Sequence, residues 1–250
     1  MTGILRNIKI CIAYNGTAYH GWQRQNNNIT VQQLIEDCMG RITNGKITAH
    51  GCSRTDAGVH AREFYLNAKT ESAIPCPGLM RAMNKMLPDD IAVLSCEDAD
   101  EDFHARFSAH GKEYVYLVNN AKHKDVFGSD LALFYPYPLD EKRLDGAAKL
   151  FVGKHDFAAF CKAEAKEHLK TTVRTVYDFT VTRSGDTVSF TVSGDGFLHN
   201  MVRIMVGTLI YVSEGKRTEA DILRSLETGE RTDAGVTIPP HGLYLNKVFY

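Results

Sequence analysis

The segment from Arg54 to His60, with the sequence RTDAGVH, carries the residues of this chain that are best suited to catalysis. A carboxylate can act as a nucleophile or a general base, and a neighbouring arginine favours its ionised form. Asp56 lies two residues after Arg54 in a glycine-containing stretch, which is typical of a turn. The structural alternative is that Asp56 accepts hydrogen bonds from nearby backbone amides, as most aspartates in such turns do.

Six of these seven residues occur again at 231–236, in the sequence RTDAGV. The two copies have different surroundings. Asp56 lies between two strand-like segments, whereas Asp233 follows a predicted helix end at Thr228-Gly229 and precedes a proline-containing stretch that is typical of a surface loop. The context therefore favours Asp56 as the reactive carboxylate.

Arg203 is unusual because it lies in the segment 198–206, which is apolar on nearly every side of a predicted helix. A buried guanidinium needs a carboxylate partner, since an unpaired buried charge costs several kcal/mol. Asp56, in the other half of the chain, is a candidate partner. Alternatively, the side chain of Arg203 extends from the helix end to water. The pattern leaves both interpretations open.

Aromatic and amide side chains at two places could contact a nucleic-acid base. Tyr114 shares one face of a predicted strand with Tyr116 and Val118, where its ring belongs to the core or stacks on a flipped base. The loop 14–25 mixes aromatic, amide and basic residues, a composition that suits looped RNA. Its candidate RNA contacts are Trp22, Gln23 and Arg24, although Trp22 could instead anchor the loop.

Hydrophobic periodicity predicts the element order β-α-β-β-α-β in both halves of the chain. The first half has strands at 8–14, 47–51, 63–68 and 91–96 and helices at 31–42 and 77–87. The second half has strands at 113–118, 173–182, 187–192 and 243–250, helices at 140–151 and 198–212, and an extra helix after Thr218. Thr30 is the predicted N-cap of the first helix, and Thr218 forms a predicted capping box with Asp221 at the start of the extra helix. The pattern predicts an α+β fold of two tandem ferredoxin-like units, at 1–105 and 106–250, joined into a broad antiparallel sheet.

Composition and charge limit the classes of function. With 29 basic and 30 acidic residues the net charge is −1, so any nucleic-acid site must be a local basic patch. The six cysteines form no Cys-x-x-Cys pair, which favours buried thiols over a disulfide framework or a zinc site. The N-terminus lacks the apolar core of a signal peptide, and no apolar stretch reaches membrane-spanning length, which indicates a cytoplasmic protein.

Seven segments, in order along almost the whole chain, resemble those of the tRNA pseudouridine synthase A (TruA) family. They are YNGTAYHGWQRQ, RTDAGVHA, RAMNKMLPDDIAV, DFHARFSAHGKEYVY, FVGKHDFAAF, GDGFLHNMVRIMVGTLI and PPHGLYLNKVFY. The resemblance implies the pseudouridine synthase fold and isomerisation of uridine to pseudouridine in tRNA. It further implies positions 38 to 40 of the anticodon arm as targets, and a homodimer that uses no cofactor and no metal.

By the same resemblance, Asp56 is the catalytic residue, Arg54 and Arg203 are its charged neighbours, and Tyr114 is the base-stacking tyrosine. The residues expected to contact the RNA are Trp22, Gln23, Arg24, His60 and Arg62. Two other functions are alternatives to this one. A diverged paralogue would bind RNA without catalysis or modify a different RNA, and a glycosidase would need a second acid flanking the bond, which the motif lacks.

Overall fold

The first unit of the structure has the element order β-α-β-β-α-β that the periodicity predicts. Its elements are β1 (Arg6–Tyr14), α1 (Val31–Thr43), β2 (Ala49–Gly51), β3 (His60–Thr70), α2 (Cys76–Met86) and β4 (Ile91–Ala99). β1 pairs antiparallel with both β3 and β4, and β2 pairs antiparallel with β3. The resulting strand order, β4-β1-β3-β2, is that of a ferredoxin-like unit.

Local sequence explains why these elements form where they do. Ile8, Ile10 and Ile12 alternate along β1 and are fully buried, as expected for a strand with one face on the core. Thr30 accepts a hydrogen bond from the backbone N–H of Gln33, which confirms the predicted N-cap of α1. The helices α1 and α2 pack against each other, and α2 also packs against β4.

The computed structural model describes residues 5–162 and 169–250, and their contacts divide the chain into two units. The first unit extends to His110 and also includes Tyr244–Tyr250, while the second covers Gly111–Leu243. The sequence pattern predicts that the last strand, at 243–250, belongs to the second unit, at 106–250. By its contacts this segment belongs to the first unit, because the strand β10 (Leu243–Phe249) pairs in parallel with the start of β3.

The second unit is also built from antiparallel strands and helices. Its elements are β5 (Gly111–Asn119), β6 (Leu133–Phe134), α3 (Glu141–Ala148), β7 (Gly153–Asp156), β8 (Val173–Ser184), β9 (Thr187–Gly194), α4 (Met201–Ser213) and α5 (Glu219–Thr228). The strand order is β5-β9-β8-β7, with β6 beside β5. The short strands β6 and β7 were not predicted, since two to four residues are too few to show a period.

The predicted α+β class is confirmed, with mostly antiparallel strand pairing. The predicted capping box at the start of α5 is also confirmed, because Thr218 and Asp221 exchange hydrogen bonds through side chain and backbone. In the part of the chain that the structure describes, every helix is too short or too polar to cross a membrane.

Candidate active site

The motif at 54–60 forms a tight turn immediately before β3. The carbonyl oxygen of Asp56 accepts a hydrogen bond from the N–H of Val59 at 3.2 Å, which closes a four-residue turn. Gly58, the third residue of the turn, has a φ of +76°, a left-handed conformation that side chains disfavour. Thr55 and Val59 are buried, whereas Asp56 is only partly buried. The turn is thus anchored on both sides of a carboxylate that solvent still reaches.

The loop that connects β1 to α1 holds this turn through its backbone. The N–H of Gly58 donates to the carbonyl oxygen of Tyr19, and the N–H of Trp22 donates to that of Thr55, each at 3.2 Å. The hydroxyls of Tyr14 and Thr55 also bond to each other at 2.8 Å. The loop and the turn, which the sequence analysis treated as separate motifs, therefore form one structural element.

Two glycines allow the loop and the turn to approach so closely. A Cβ atom on Gly16 would lie 2.0 Å from the carbonyl oxygen of Val59, and one on Gly21 would lie 2.2 Å from that of Thr55. Gly21 also has a left-handed φ of +79°. Sequence reasoning missed both residues, although both glycines lie in the loop 14–25 that it singled out.

Trp22 and His60, both predicted to contact RNA, are buried beside the turn. Trp22 is 2% exposed, and its ring centroid lies 4.3 Å from that of Phe64. His60 is 1% exposed, accepts a hydrogen bond from Gly16 N–H through Nδ1, and stacks on Tyr244 at 4.6 Å. These placements favour the alternative that Trp22 anchors the loop, and they give His60 a similar anchoring role.

Gln23 and Arg24, the other predicted RNA contacts in the loop, are exposed but engaged with α1. The Arg24 guanidinium donates to Glu36 at 2.7 Å and to Asp37 at 2.8 Å. The hydrogen bond to Asp37 and the pairing with Glu36 raise the pKa of Arg24. Gln23 donates to the side chain of Gln32 at 2.9 Å. The charge of Arg24 is therefore largely balanced by two carboxylates.

Arg62 differs from Arg24 because its described contacts are neutral. It is exposed, its guanidinium lies 5.0 Å from the centroid of the Tyr244 ring, and Nη1 donates to the side-chain oxygen of Asn246 at 3.1 Å. Burial raises the pKa of Tyr244, and the charge of Arg62 opposes that shift. The guanidinium is oriented by a ring and an amide that leave its positive charge uncompensated. Arg54, before the turn, is also exposed.

The second unit contains the other two predicted site residues. Tyr114 lies on β5, is 7% exposed, and meets the ring of Phe197 edge-on at 5.2 Å. Arg203 is half-buried in the first turn of α4, where Nε donates to the carbonyl oxygen of Ile238 at 2.7 Å and Nη1 donates to Asn200 at 2.8 Å. These two neutral acceptors orient the guanidinium. The pairing of Arg203 with Asp56, a residue of the first unit, stays a prediction.

The second RTDAGV segment adopts a different conformation. Residues 231–233 form a single turn of 3-10 helix, and Gly235 lacks the left-handed φ of Gly58. Asp233 pairs with Arg224 at 3.3 Å, and the N–H of Gly235 donates to the hydroxyl of Thr208 on α4 at 2.8 Å. The carboxylate of Asp233 thus attaches this segment to Arg224 of α5.

Within residues 5–162 and 169–250, no group of three or more His, Cys, Asp or Glu side chains is placed to hold a metal ion.

Comparisons with known proteins place these features in a family. A family model described as "tRNA pseudouridine synthase" matches residues 10–108 and 147–250. The protein named "tRNA pseudouridine synthase A" from Thermoanaerobacter sp. (strain X514) is 42% identical over 246 residues, which are 98% of this chain and 100% of that protein. "tRNA pseudouridine synthase A 2" from Clostridium perfringens (strain 13 / Type A) is 41% identical with the same coverage of both chains.

A solved structure of a Cbf5-Nop10-Gar1 complex aligns with a TM-score of 0.38 and 12% sequence identity. The alignment covers 81% of this chain and 44% of that chain.

The contact between Gly16 and Val59 generates a prediction about stability. Gly16→Ala should lower the free energy of unfolding by about 1–3 kcal/mol, because the added methyl group collides with the backbone of the turn. Gly146→Ala, on α3, is the matched control, since a Cβ there meets nothing within 4 Å and alanine favours a helix by about 1 kcal/mol. Urea unfolding of both variants would test this. A Gly16→Ala protein as stable as the control would contradict the close packing.

Proposed function

The chain belongs to the tRNA pseudouridine synthase A family, and we infer from this membership that it isomerises uridine to pseudouridine in tRNA. It is therefore an enzyme, and the resemblance of its seven motifs is confirmed. The observation that carries the inference is the alignment of nearly the whole chain with the full length of relatives at 41–43% identity. The experiment that tests it is incubation of the purified protein with a tRNA pool, followed by carbodiimide-dependent mapping of pseudouridine.

The proposed catalytic residue is Asp56. The reaction breaks the bond between C1′ and N1 of uridine and joins C1′ to C5, so a group must act on the sugar or the base while the detached ring is held. A carboxylate can act there as a nucleophile or as a base. The anchored turn supports this role, because catalysis requires a reactive group to be held in position and a small displacement costs rate.

Arg54 and Arg203 are the proposed charged neighbours of Asp56. Arg54 precedes the turn by two residues, and an adjacent guanidinium would favour the ionised carboxylate. The guanidinium of Arg203 is held by Ile238 and Asn200, which supports a fixed rather than mobile cation. An oriented charge is worth more to a reaction than a mobile one because it does not have to reorganise.

Tyr114 is the proposed residue that stacks on the flipped uracil. Its ring and that of Phe197 form an edge-to-face pair, a rigid aromatic surface on which a flat base could rest. Flipping a base out of its stack costs a few kcal/mol, and stacking on an aromatic side chain offsets part of that cost.

The finer features of the proposal follow the family resemblance. The target uridines are those at positions 38 to 40 of the anticodon arm, the enzyme acts as a homodimer, and the reaction takes place in the cytoplasm. The chemistry is assigned to side chains alone, with no cofactor. Support comes from the seven ordered motifs, which span the site residues of both units.

The two RTDAGV segments provide an internal comparison for the catalytic assignment. Asp56→Asn should lower turnover by at least about 10²–10⁴-fold, the range contributed by a positioned acid or base, while tRNA binding is largely retained. Asp233→Asn should keep most of the activity, because its carboxylate pairs with Arg224 of α5 and its segment adopts a different conformation from the turn at 54–60. Pseudouridine formation and filter binding are the measurements. An active Asp56→Asn enzyme beside an inactive but folded Asp233→Asn enzyme would overturn the assignment.

Substitutions at Tyr114 separate stacking from core packing. Tyr114→Phe should retain tRNA affinity and change turnover, whereas Tyr114→Ala should also lose about 1–3 kcal/mol of stacking free energy per base. Tyr116→Phe is the control on the same strand, where the lost hydrogen bond to Pro239 should cost about 1 kcal/mol of stability and little activity. Equal losses of stability and turnover in both Tyr114 variants would favour the core alternative.

Arg62 and Arg24 differ in their partners, so we expect substitutions at the two positions to change the salt dependence of tRNA binding differently. Arg62→Gln should weaken tRNA binding and flatten the dependence of log K on log salt concentration by about one unit, as expected for a lost phosphate contact. Arg24→Gln should have the smaller effect, because Glu36 and Asp37 already balance that charge. Binding titrations at several salt concentrations would decide. Equal slopes for wild type and Arg62→Gln would place the phosphate contacts elsewhere.

A further inference from the structure

Two cysteines that the proposed reaction does not use lie together in the first unit. Cys76 is the first residue of α2, and Cys96 is on β4, the strand against which α2 packs. The residue before the helix, Pro75, provides no side-chain cap. The positive end of the helix dipole lies at the start of α2, beside Cys76, and no side chain of Pro75 caps the backbone N–H groups there.

Arg6 places a positive charge directly against Cys76. Its Nη2 donates to Sγ of Cys76 at 3.1 Å, while Nε donates to Asp98 at 2.7 Å and Nη1 donates to the carbonyl oxygen of Ile74 at 3.0 Å. Sγ of Cys76 is also 4.0 Å from Oδ2 of Asp98, but that carboxylate is itself paired with Arg6. A thiol at a helix N-terminus and beside an arginine has the surroundings typical of reactive cysteines.

Cys96 completes the cluster from the neighbouring strand. It precedes Asp98 by two residues on β4, so the two side chains point to the same face, toward Arg6 and Cys76. Burial and the hydrogen-bond contact with Cys76 raise the pKa of Cys96 to about 12. The contacts of Cys76 with Arg6 and with Asp98 therefore place Cys76 against the face of β4 that also carries Cys96.

We propose that Cys76 and Cys96 form an oxidisable dithiol, in which hydrogen peroxide oxidises Cys76 and Cys96 then closes an intramolecular disulfide. Cys76 gives up its proton and its sulfur attacks one peroxide oxygen, the O–O bond breaks, and the departing hydroxide takes up a proton and leaves as water, so that a sulfenic acid is formed. The Cys96 thiol then gives up its proton and attacks Sγ of Cys76, which releases a second water. Two thiols are oxidised and one peroxide is reduced.

Exposure determines which oxidant fits. Cys76 is only 6% exposed, and Cys96 is more exposed than Cys76. This limited exposure suits a small oxidant such as hydrogen peroxide better than a bulky one such as glutathione disulfide. Cys11 is a useful internal comparison, because burial raises its pKa to about 11 and its hydrogen-bond neighbour is Tyr65.

The test treats the full-length protein with hydrogen peroxide, removes the peroxide with catalase, and then unfolds the protein in an alkylating reagent for peptide mass spectrometry. The expected product is a cross-linked peptide pair containing Cys76 and Cys96, with the remaining cysteines alkylated. In Cys96→Ser, Cys76 should stop at the sulfenic acid, which dimedone traps. In Cys76→Ser, Cys96 should stay reduced. Absence of the cross-link in folded, oxidised wild type would overturn the proposal.

A second pair of variants tests the role of Arg6. Arg6→Gln should slow disulfide formation by about tenfold or more, because the positive charge beside Sγ is lost. Lys9→Gln is the matched control, since Lys9 pairs with Glu97 between the same two strands at 3.1 Å. Thermal unfolding establishes that both variants are folded. Equal oxidation rates in folded Arg6→Gln and in Lys9→Gln would contradict the activation of Cys76 by Arg6.

Discussion

The close backbone packing between the loop at 14–25 and the turn at 54–60 is the constraint on which the candidate site depends. Asp56 belongs to no helix or strand, so no regular ladder of hydrogen bonds fixes its position. Its position depends on the packing of the turn against Gly16 and Gly21. The carbonyl oxygens of Val59 and Thr55 lie so close to these two glycines that a Cβ atom on either would collide with them. A carboxylate held in this way can be both accessible and rigid, as positioned catalysis requires.

The repeated RTDAGV segment shows how strongly such packing controls local conformation. In the first copy Gly58 adopts a left-handed φ and the turn bonds to the loop after β1. In the second copy Gly235 packs against Thr208 of α4 and takes another conformation. The six residues are identical, so their own preferences cannot explain the difference. The partners that each copy meets in the folded chain therefore determine which conformation it adopts.

The residues predicted to contact RNA differ in their surroundings, and these surroundings distinguish them better than their residue types do. Trp22 and His60 are buried anchors of the turn, while Arg24 is paired with two carboxylates and Arg62 keeps a charge that neutral neighbours merely orient. A residue type reports what a side chain can do, but burial and pairing determine whether it is free to do it. Arg62 is accordingly the member of this set best placed to meet phosphate.

Much of the fold could be read from the chain because the interactions concerned are local. The alternation of isoleucines in β1 and the caps at Thr30 and Thr218 involve residues at most four positions apart, so their patterns are visible in the sequence. Ordered motifs likewise identified the family. The pairing of β10 with β3, the contact of Trp22 with Phe64 and the contacts of Cys76 with Arg6 and Asp98 were not visible there. These contacts join residues about twenty or more positions apart, and such pairs meet only after the intervening chain has folded into helices and strands.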